Sequence, residues 1–258
     1  MPEGDTLRRA AAALTPVLEG RTLTDAWFRS VRGHAPRKGM RVEGVEAVGK
    51  HLLVHFDRGL TLDTHLGMSG WWRTSQSAPS GSPKLRVVLS TEAGHAMCYA
   101  APIIRTYLRD AERTPIDDLG PDLSNDTPRL DTVMERSRAR SQSRTLADLL
   151  LDQHVAAGVG NVYKSETLFL ARMHPFHPVG SVSDADLILV WTTANRLLVA
   201  NRDRDRRRTT PPQFRSRTFV YDRHRLGCLR CPDSISYDPA GSTTQRSTYW
   251  CPSCQRRD

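Results

Sequence analysis

Residues Leu149–Glu166 read LLLDQHVAAGVGNVYKSE. An apolar run ends at Asp152, glycines follow at 158 and 160, and Asn161 opens a second run with helical spacing. Glycine adopts backbone angles closed to other residues and lets a ligand approach the main chain. A helix that starts directly behind it presents N–H groups with no intrahelical acceptor, at the positive end of its dipole. The combination suits a phosphate oxygen, although a glycine turn between two helices gives the same pattern without any ligand.

Helical spacing continues on both sides of this stretch. TPRLDTVMERSRA, TLADLLLDQH, NVYKSETLFLARM and DADLILVWTTANRLLVANR define a helical region from about Pro121 to Asn201. Behind it, RDRDRRRTTPPQFRSR holds seven arginines, and reads either as a loop beside a polyanion or as a solvated charge run. Toward the N-terminus the pattern changes. After a first helix, Asp5 to Glu19 with Asp5 as N-cap, short runs of β-branched, aromatic and aliphatic residues from Thr22 to about Tyr99 predict an antiparallel, two-layer β-domain. TSQSAPSGSPK interrupts it as a Ser/Pro/Gly loop.

The chain has 258 residues, 38% of them hydrophobic, with a formal net charge of +9. It is long enough for more than one domain, and basic enough to point to a polyanion such as nucleic acid. No run approaches the ~20 apolar residues of a membrane span, and the first residues lack a secretory pattern. A cytoplasmic, nucleoid-associated protein with no membrane partner is expected. Of five cysteines, Cys98 reads as a core strand residue. The other four form CLRC at Cys228 and Cys231 and CPSC at Cys251 and Cys254, with nineteen residues between the pairs. Each pair can grip one edge of a tetrahedron while the chain between forms a hairpin, which is the pattern of one structural Zn²⁺. Four thiolates close the coordination shell and leave no open position for chemistry. Arg246 falls near the hairpin tip, as a phosphate fork or an ordinary surface arginine.

The chain opens MPEGD. Removal of Met1 would leave Pro2 with a secondary amine, and an α-amino group of pKa ~7.7–8.0 is partly neutral and nucleophilic at neutral pH. Its addition to a carbonyl-level carbon gives an iminium that promotes elimination, with Glu3 beside it to move protons. Read alone, the five residues fit a proline lead-in to a helix better. Lys50, in VGKHLLVHF, falls in phase with Leu52 and Val54, an unusual setting for lysine that snorkelling at a sheet edge also explains.

Taken in order, MPEGD, GKHLL, HLGMSG, LGPDL, LLLDQHVAAGVGNVYKSE and CLRC…QRSTYWCPSC resemble the formamidopyrimidine-DNA glycosylase and endonuclease VIII family of base-excision repair enzymes. The resemblance spans nearly the whole chain. It implies an α+β multidomain protein: a catalytic β-sandwich domain with its flanking helix (1–120), a helical domain with a helix-two-turn-helix motif (121–217) and a zinc finger (218–258), with damaged duplex DNA in the cleft and a monomer at work. It further implies that Pro2 attacks C1′ of the damaged nucleotide, that Glu3 shuttles protons at the sugar, and that Lys50 contacts the adjacent phosphate and assists. Asn161 and Arg246 would hold backbone phosphates, and Met68 would fill the gap left by the flipped nucleotide.

The chain departs from the family pattern in two places. Thr6 stands where many members carry glutamate, and CYAAPIIRTYL lacks the DPRRFG of formamidopyrimidine enzymes. The second departure, with LLLDQ, aligns the chain with the endonuclease VIII branch and with oxidised pyrimidines, whereas HLGMSG follows the other branch. The first leaves open an abasic-site lyase without glycosylase activity. A non-catalytic zinc protein that binds nucleic acid would share the charge and the cysteines but give Pro2 no role.

Overall fold

The computed structural model describes residues 2–79, 81–240 and 245–256, so Met1, Ser80, residues 241–244 and residues 257–258 lie outside the described residues. The chain divides between Asp118 and Leu119 into two compact units.

The first unit begins with α1, Gly4–Leu18, whose Leu7, Leu14 and Leu18 form the expected buried stripe. The helix starts earlier than its sequence suggests. Glu3, with extended φ and ψ of −132° and −178°, is the N-cap, and its carbonyl accepts from the Thr6 and Leu7 N–H groups at 2.8 and 3.2 Å. Asp5 is therefore not the cap but a buried first-turn residue, paired with Arg9 one turn later at 3.2 Å.

Eight strands follow: β1 (Asp25–Phe28), β2 (Val42–Val48), β3 (His51–Phe56), β4 (Leu60–His65), β5 (Trp71–Ser75), β6 (Leu85–Thr91), β7 (Gly94–Tyr99) and β8 (Ile103–Leu108). They form two antiparallel four-stranded sheets, ordered β1-β6-β7-β5 and β2-β3-β4-β8. Leu52, Val54 and Phe56 of one sheet and Val87, Leu89 and Cys98 of the other share a core with α1, which packs against strands of both. The β region thus runs past Tyr99. β8 pairs with β4 from Leu60↔Leu108 to His65↔Ile103, and as an edge strand it carries only one buried residue, Ile104, so its sequence shows little alternation.

The second unit holds α2 (Leu130–Arg138), α3 (Leu146–Leu151), α4 (Asn161–Leu170), α5 (Asp184–Asn201) and a hairpin of β9 (Ser236–Asp238) with β10 (Thr248–Trp250). Thr145 and Ser183 cap α3 and α5, each accepting a backbone N–H with its hydroxyl. The expected boundary at 217 falls inside this unit. A Cys-bearing segment of some forty residues is too small for a core of its own. It uses Phe169 of α4, packed with Phe219, Val220, Ile235 and Cys251.

A buried carboxylate ties the two parts together. Glu166 of α4 is fully buried and accepts backbone N–H groups from Phe219, Val220 and Tyr221, each at 2.8 Å, as well as the Thr209 hydroxyl. Burial pushes its carboxyl upward, against hydrogen bonds that favour the charged form. Glu166→Ala would leave three buried N–H groups unsatisfied, and a loss of about 3–5 kcal/mol is expected in denaturant titrations. A loss below about 1 kcal/mol would show that the clamp is dispensable.

Candidate functional site

The chain in front of α1 is a short lead with a definite geometry. Pro2 is half-buried and Glu3 is fully buried, although a glutamate at a chain terminus would ordinarily sit in water. Thr6 supplies no carboxylate; its hydroxyl donates to Asp5 Oδ1 at 3.3 Å and accepts from Arg9 at 3.4 Å.

Lys50 does not lie on a strand. Val48 pairs with His51, so Gly49–Lys50 is a two-residue hairpin turn, and Gly49 with φ of 59° occupies the position that demands glycine. The alternation of β3 starts one residue later, with Leu52 and Val54 facing the core. Lys50 is held at a hairpin tip, half-exposed, instead of lying along an apolar sheet face.

Around this tip is a cluster that sequence reasoning missed. Asp63, fully buried on β4, accepts from His51 Nδ1 at 2.9 Å and from Arg105 Nε at 2.8 Å. His65 stands edge-on to His51, with ring centroids 5.4 Å apart. The signal was the pair His51 and His65 within quoted motifs, but their cross-strand pairing follows only from the β3–β4 register. Burial, then the positive charges of His51 and Lys50, holds the His65 imidazole down to about 4 from 6.5. The folded chain therefore binds fewer protons there than the unfolded one. Stability from this group is intact above about 6.5 and is lost as pH falls toward 4. An NMR titration of His65 is expected to show a midpoint near 4, and a midpoint at 6.5 would contradict the packing.

His65 leads into HLGMSG, where Gly67 has φ of +58° and a Cβ there would meet Pro102 at 2.7 Å. The turn places Met68 on the surface at 63% exposure, so it is not a core methionine. Cys98, by contrast, is fully buried in the core, as its sequence setting suggests.

In the second unit the motifs LGPDL and LLLDQHVAAGVGN prove to be one construction. Leu123 N–H donates to Ala157 O at 3.0 Å and Ala157 N–H to Pro121 O at 3.0 Å, while Gly120 lies so close that a Cβ would meet Val155 O at 2.2 Å. Gln153 holds the turn from within: its Nε2 donates to Leu151 O and Val159 O at 2.9 and 3.0 Å, and its Oε1 accepts from Gly158 N–H at 3.1 Å. Gly158 has φ of +103°, and Gly160 caps α4, which begins with Asn161.

The structure brings Asn161 to the four-cysteine hairpin. Its Nδ2 donates to Ser247 Oγ at 3.1 Å, one residue past Arg246, and Arg246 is exposed just ahead of β10. Several linker arginines are used within the protein. Arg208 donates to Thr210 Oγ1 and Phe214 O at 3.0 Å, Arg207 covers the Tyr163 ring at 4.7 Å, and Arg202 pairs with Asp126 at 2.9 Å.

Cys228, Cys231, Cys251 and Cys254 converge with their ligand atoms within 4.8 Å of one another. Sγ–Sγ distances of 3.9 Å (Cys228–Cys254) and 3.4 Å (Cys231–Cys251) bracket the ~3.8 Å edge of a tetrahedron with 2.3 Å metal–sulfur bonds. The four sulfurs fit a metal ion with a closed shell. Among the described residues no helix is long and apolar enough to cross a membrane.

Residues 1–104 match the formamidopyrimidine-DNA glycosylase N-terminal domain and residues 119–210 its H2TH domain. The chain is 40% identical to a probable endonuclease 8 2 of Streptomyces coelicolor, covering 99% of this chain and 94% of that one. It is 37% identical to the DNA-(apurinic or apyrimidinic site) lyase Nei2 of Mycolicibacterium smegmatis, covering 99% of both. The crystal structure of the MutM (Fpg) protein from Thermus thermophilus superposes with a TM-score of 0.79 at 27% identity over 100% of both chains. The chain belongs to the formamidopyrimidine-DNA glycosylase and endonuclease VIII family of DNA repair glycosylases and lyases, and is endonuclease VIII-like within it.

Proposed function

We propose that this protein is a bifunctional DNA glycosylase and abasic-site lyase that removes oxidised pyrimidines, such as thymine glycol, from duplex DNA. The observation that carries the reading is the pairing of a lead proline with a fully buried glutamate in front of α1, within a chain of this family. Once Met1 is removed, the Pro2 nitrogen lies at the positive end of the helix dipole, which disfavours a protonated amine. Its lone pair attacks C1′, the N-glycosidic bond breaks, and the base leaves with the bonding electrons and takes up the proton shed by the amine nitrogen. The sugar ring opens as Glu3 supplies a proton to its oxygen, leaving a C1′ iminium. This cation acidifies C2′, and loss of a C2′ proton expels the 3′-phosphate. Water then releases the sugar aldehyde and frees Pro2; a second elimination at the 5′ side is open to the same intermediate.

In this reading Lys50 binds the phosphate beside the lesion and assists, from a tip whose neighbouring His65 ring stays neutral. Met68, exposed on its turn, enters the stack as the nucleotide leaves it. Asn161 and Arg246 hold backbone phosphates, and a structural Zn²⁺ on the four cysteines braces the hairpin that carries Arg246. The protein acts as a monomer in the cytoplasm, at the nucleoid.

Borohydride trapping tests the reading. Duplex DNA with thymine glycol is expected to give a covalent adduct that survives denaturation, because reduction of the iminium is irreversible. An adduct with abasic duplex but none with thymine glycol would reduce the activity to the lyase step, for which the lyase-named relative and Thr6 are the motivation. No adduct with either would leave a binding protein.

A further inference from the structure

Asn161–Phe169 of α4 is buried without interruption, and one of these nine residues is a lysine. Lys164 is 1% exposed. Its Nζ donates to Asn161 Oδ1 at 2.7 Å, to Ser247 O at 2.9 Å and to Thr248 Oγ1 at 2.9 Å. Three oxygens match the three protons of an ammonium. Methionine has nearly the same shape without the desolvation cost of a buried charge, so packing alone does not account for a lysine.

The contacts have a directional consequence. An ammonium only donates, whereas a primary amide has one accepting end and one donating end. Beside Lys164, Asn161 must turn its Oδ1 inward, which sends Nδ2 the other way, where one N–H reaches Ser247 Oγ at 3.1 Å. Asn161 is itself 3% exposed, and the end of its side chain turned away from the ammonium is thus a donor, as an anion requires. The same ammonium fixes the Ser247 carbonyl, one residue past Arg246. A single charge joins the start of α4 to the hairpin strand β10.

We propose that Lys164 is a positioning residue for DNA binding: it locks the Asn161 amide with its donor end turned away from the ammonium and sets the spacing between Asn161 and Arg246. This rests on the reading of Asn161 and Arg246 as phosphate contacts.

The test uses the full-length, metal-loaded protein and a duplex with a non-cleavable abasic analogue, with Kd measured between 50 and 200 mM salt. Lys164→Met is expected to weaken binding about tenfold or more and to lower the salt slope by about one to two, the signature of lost phosphate contacts. The single-turnover rate on saturating abasic DNA should stay within about twofold, since Lys164 touches no reacting atom. In an N161A/R246A background the same substitution should add less than about twofold, because the groups it acts through are gone. Metal content and melting temperature show whether the variant folds. If Lys164→Met does not, Lys164→Gln, which supplies two donors for the three oxygens, is expected to show the same loss of affinity and slope. Wild-type affinity and slope in the folded variant, or an undiminished effect in the N161A/R246A background, would overturn the proposal. Wild-type affinity in N161A/R246A itself would refute the phosphate reading and the proposal with it, and that outcome is recognised without any change at Lys164.

Discussion

A residue left in front of Pro2 is expected to abolish borohydride trapping, to ~1% of wild type or less, while Kd for an abasic duplex changes by no more than about threefold. The physical reason is narrow. An N-terminal extension turns the secondary amine into an amide, whose lone pair is delocalised into the carbonyl and cannot attack C1′, but it removes none of the groups read as phosphate contacts. Pro2→Gly is a milder form of the same experiment. It keeps an amine, but a primary one, whose imine can lose its proton and with it the fixed positive charge that drives elimination. Its trapping should fall well below wild type without reaching zero, and trapping at the wild-type level in the extended protein would sink the nucleophile assignment.

Removal of the metal should have the second largest effect. Structural zinc contributes ~10–16 kcal/mol to the folding of small fingers, which is as large as the whole stability of an ordinary domain. Here the four cysteines lie over a core that includes Phe169 of α4, so disruption should not stop at the hairpin. Cys228→Ser is expected to lower metal content, melting temperature and DNA affinity together, the affinity by on the order of a hundredfold through loss of Arg246 and of the Lys164 contacts to Ser247 and Thr248. Affinity unchanged in a metal-free variant would show that the hairpin takes no part in binding.

Much of this arrangement was legible in the sequence, and the errors share physical causes. The Cys pairs were readable because metal ligation depends on spacing, and the Leu7–Leu18 stripe because one face of α1 is buried and the other wet. Asp5 was misread as a cap because a carboxylate at a helix start suits either position, and only backbone geometry separates them. Lys50 was assigned to strand alternation when a Gly-containing turn had already ended β2. The larger omissions were Lys164 and Glu166. Periodicity locates a helix by contrast between its faces, and α4 is buried on all of them, so nothing in the spacing marks its charged residues as buried. The Asp63 cluster was hidden for a different reason: His51, Asp63 and Arg105 come from three strands and meet only through sheet register.

Peptide mapping of the trapped adduct shows whether the reacting atom is the Pro2 nitrogen. The adduct formed on thymine glycol duplex is digested with trypsin and nuclease, and the modified peptide is identified by mass. The sugar remnant is expected on PEGDTLR, residues 2–8, with Met1 absent and the added mass on the first residue. A remnant on Lys50 or any other lysine, with an unmodified N-terminal peptide, would contradict the nucleophile assignment.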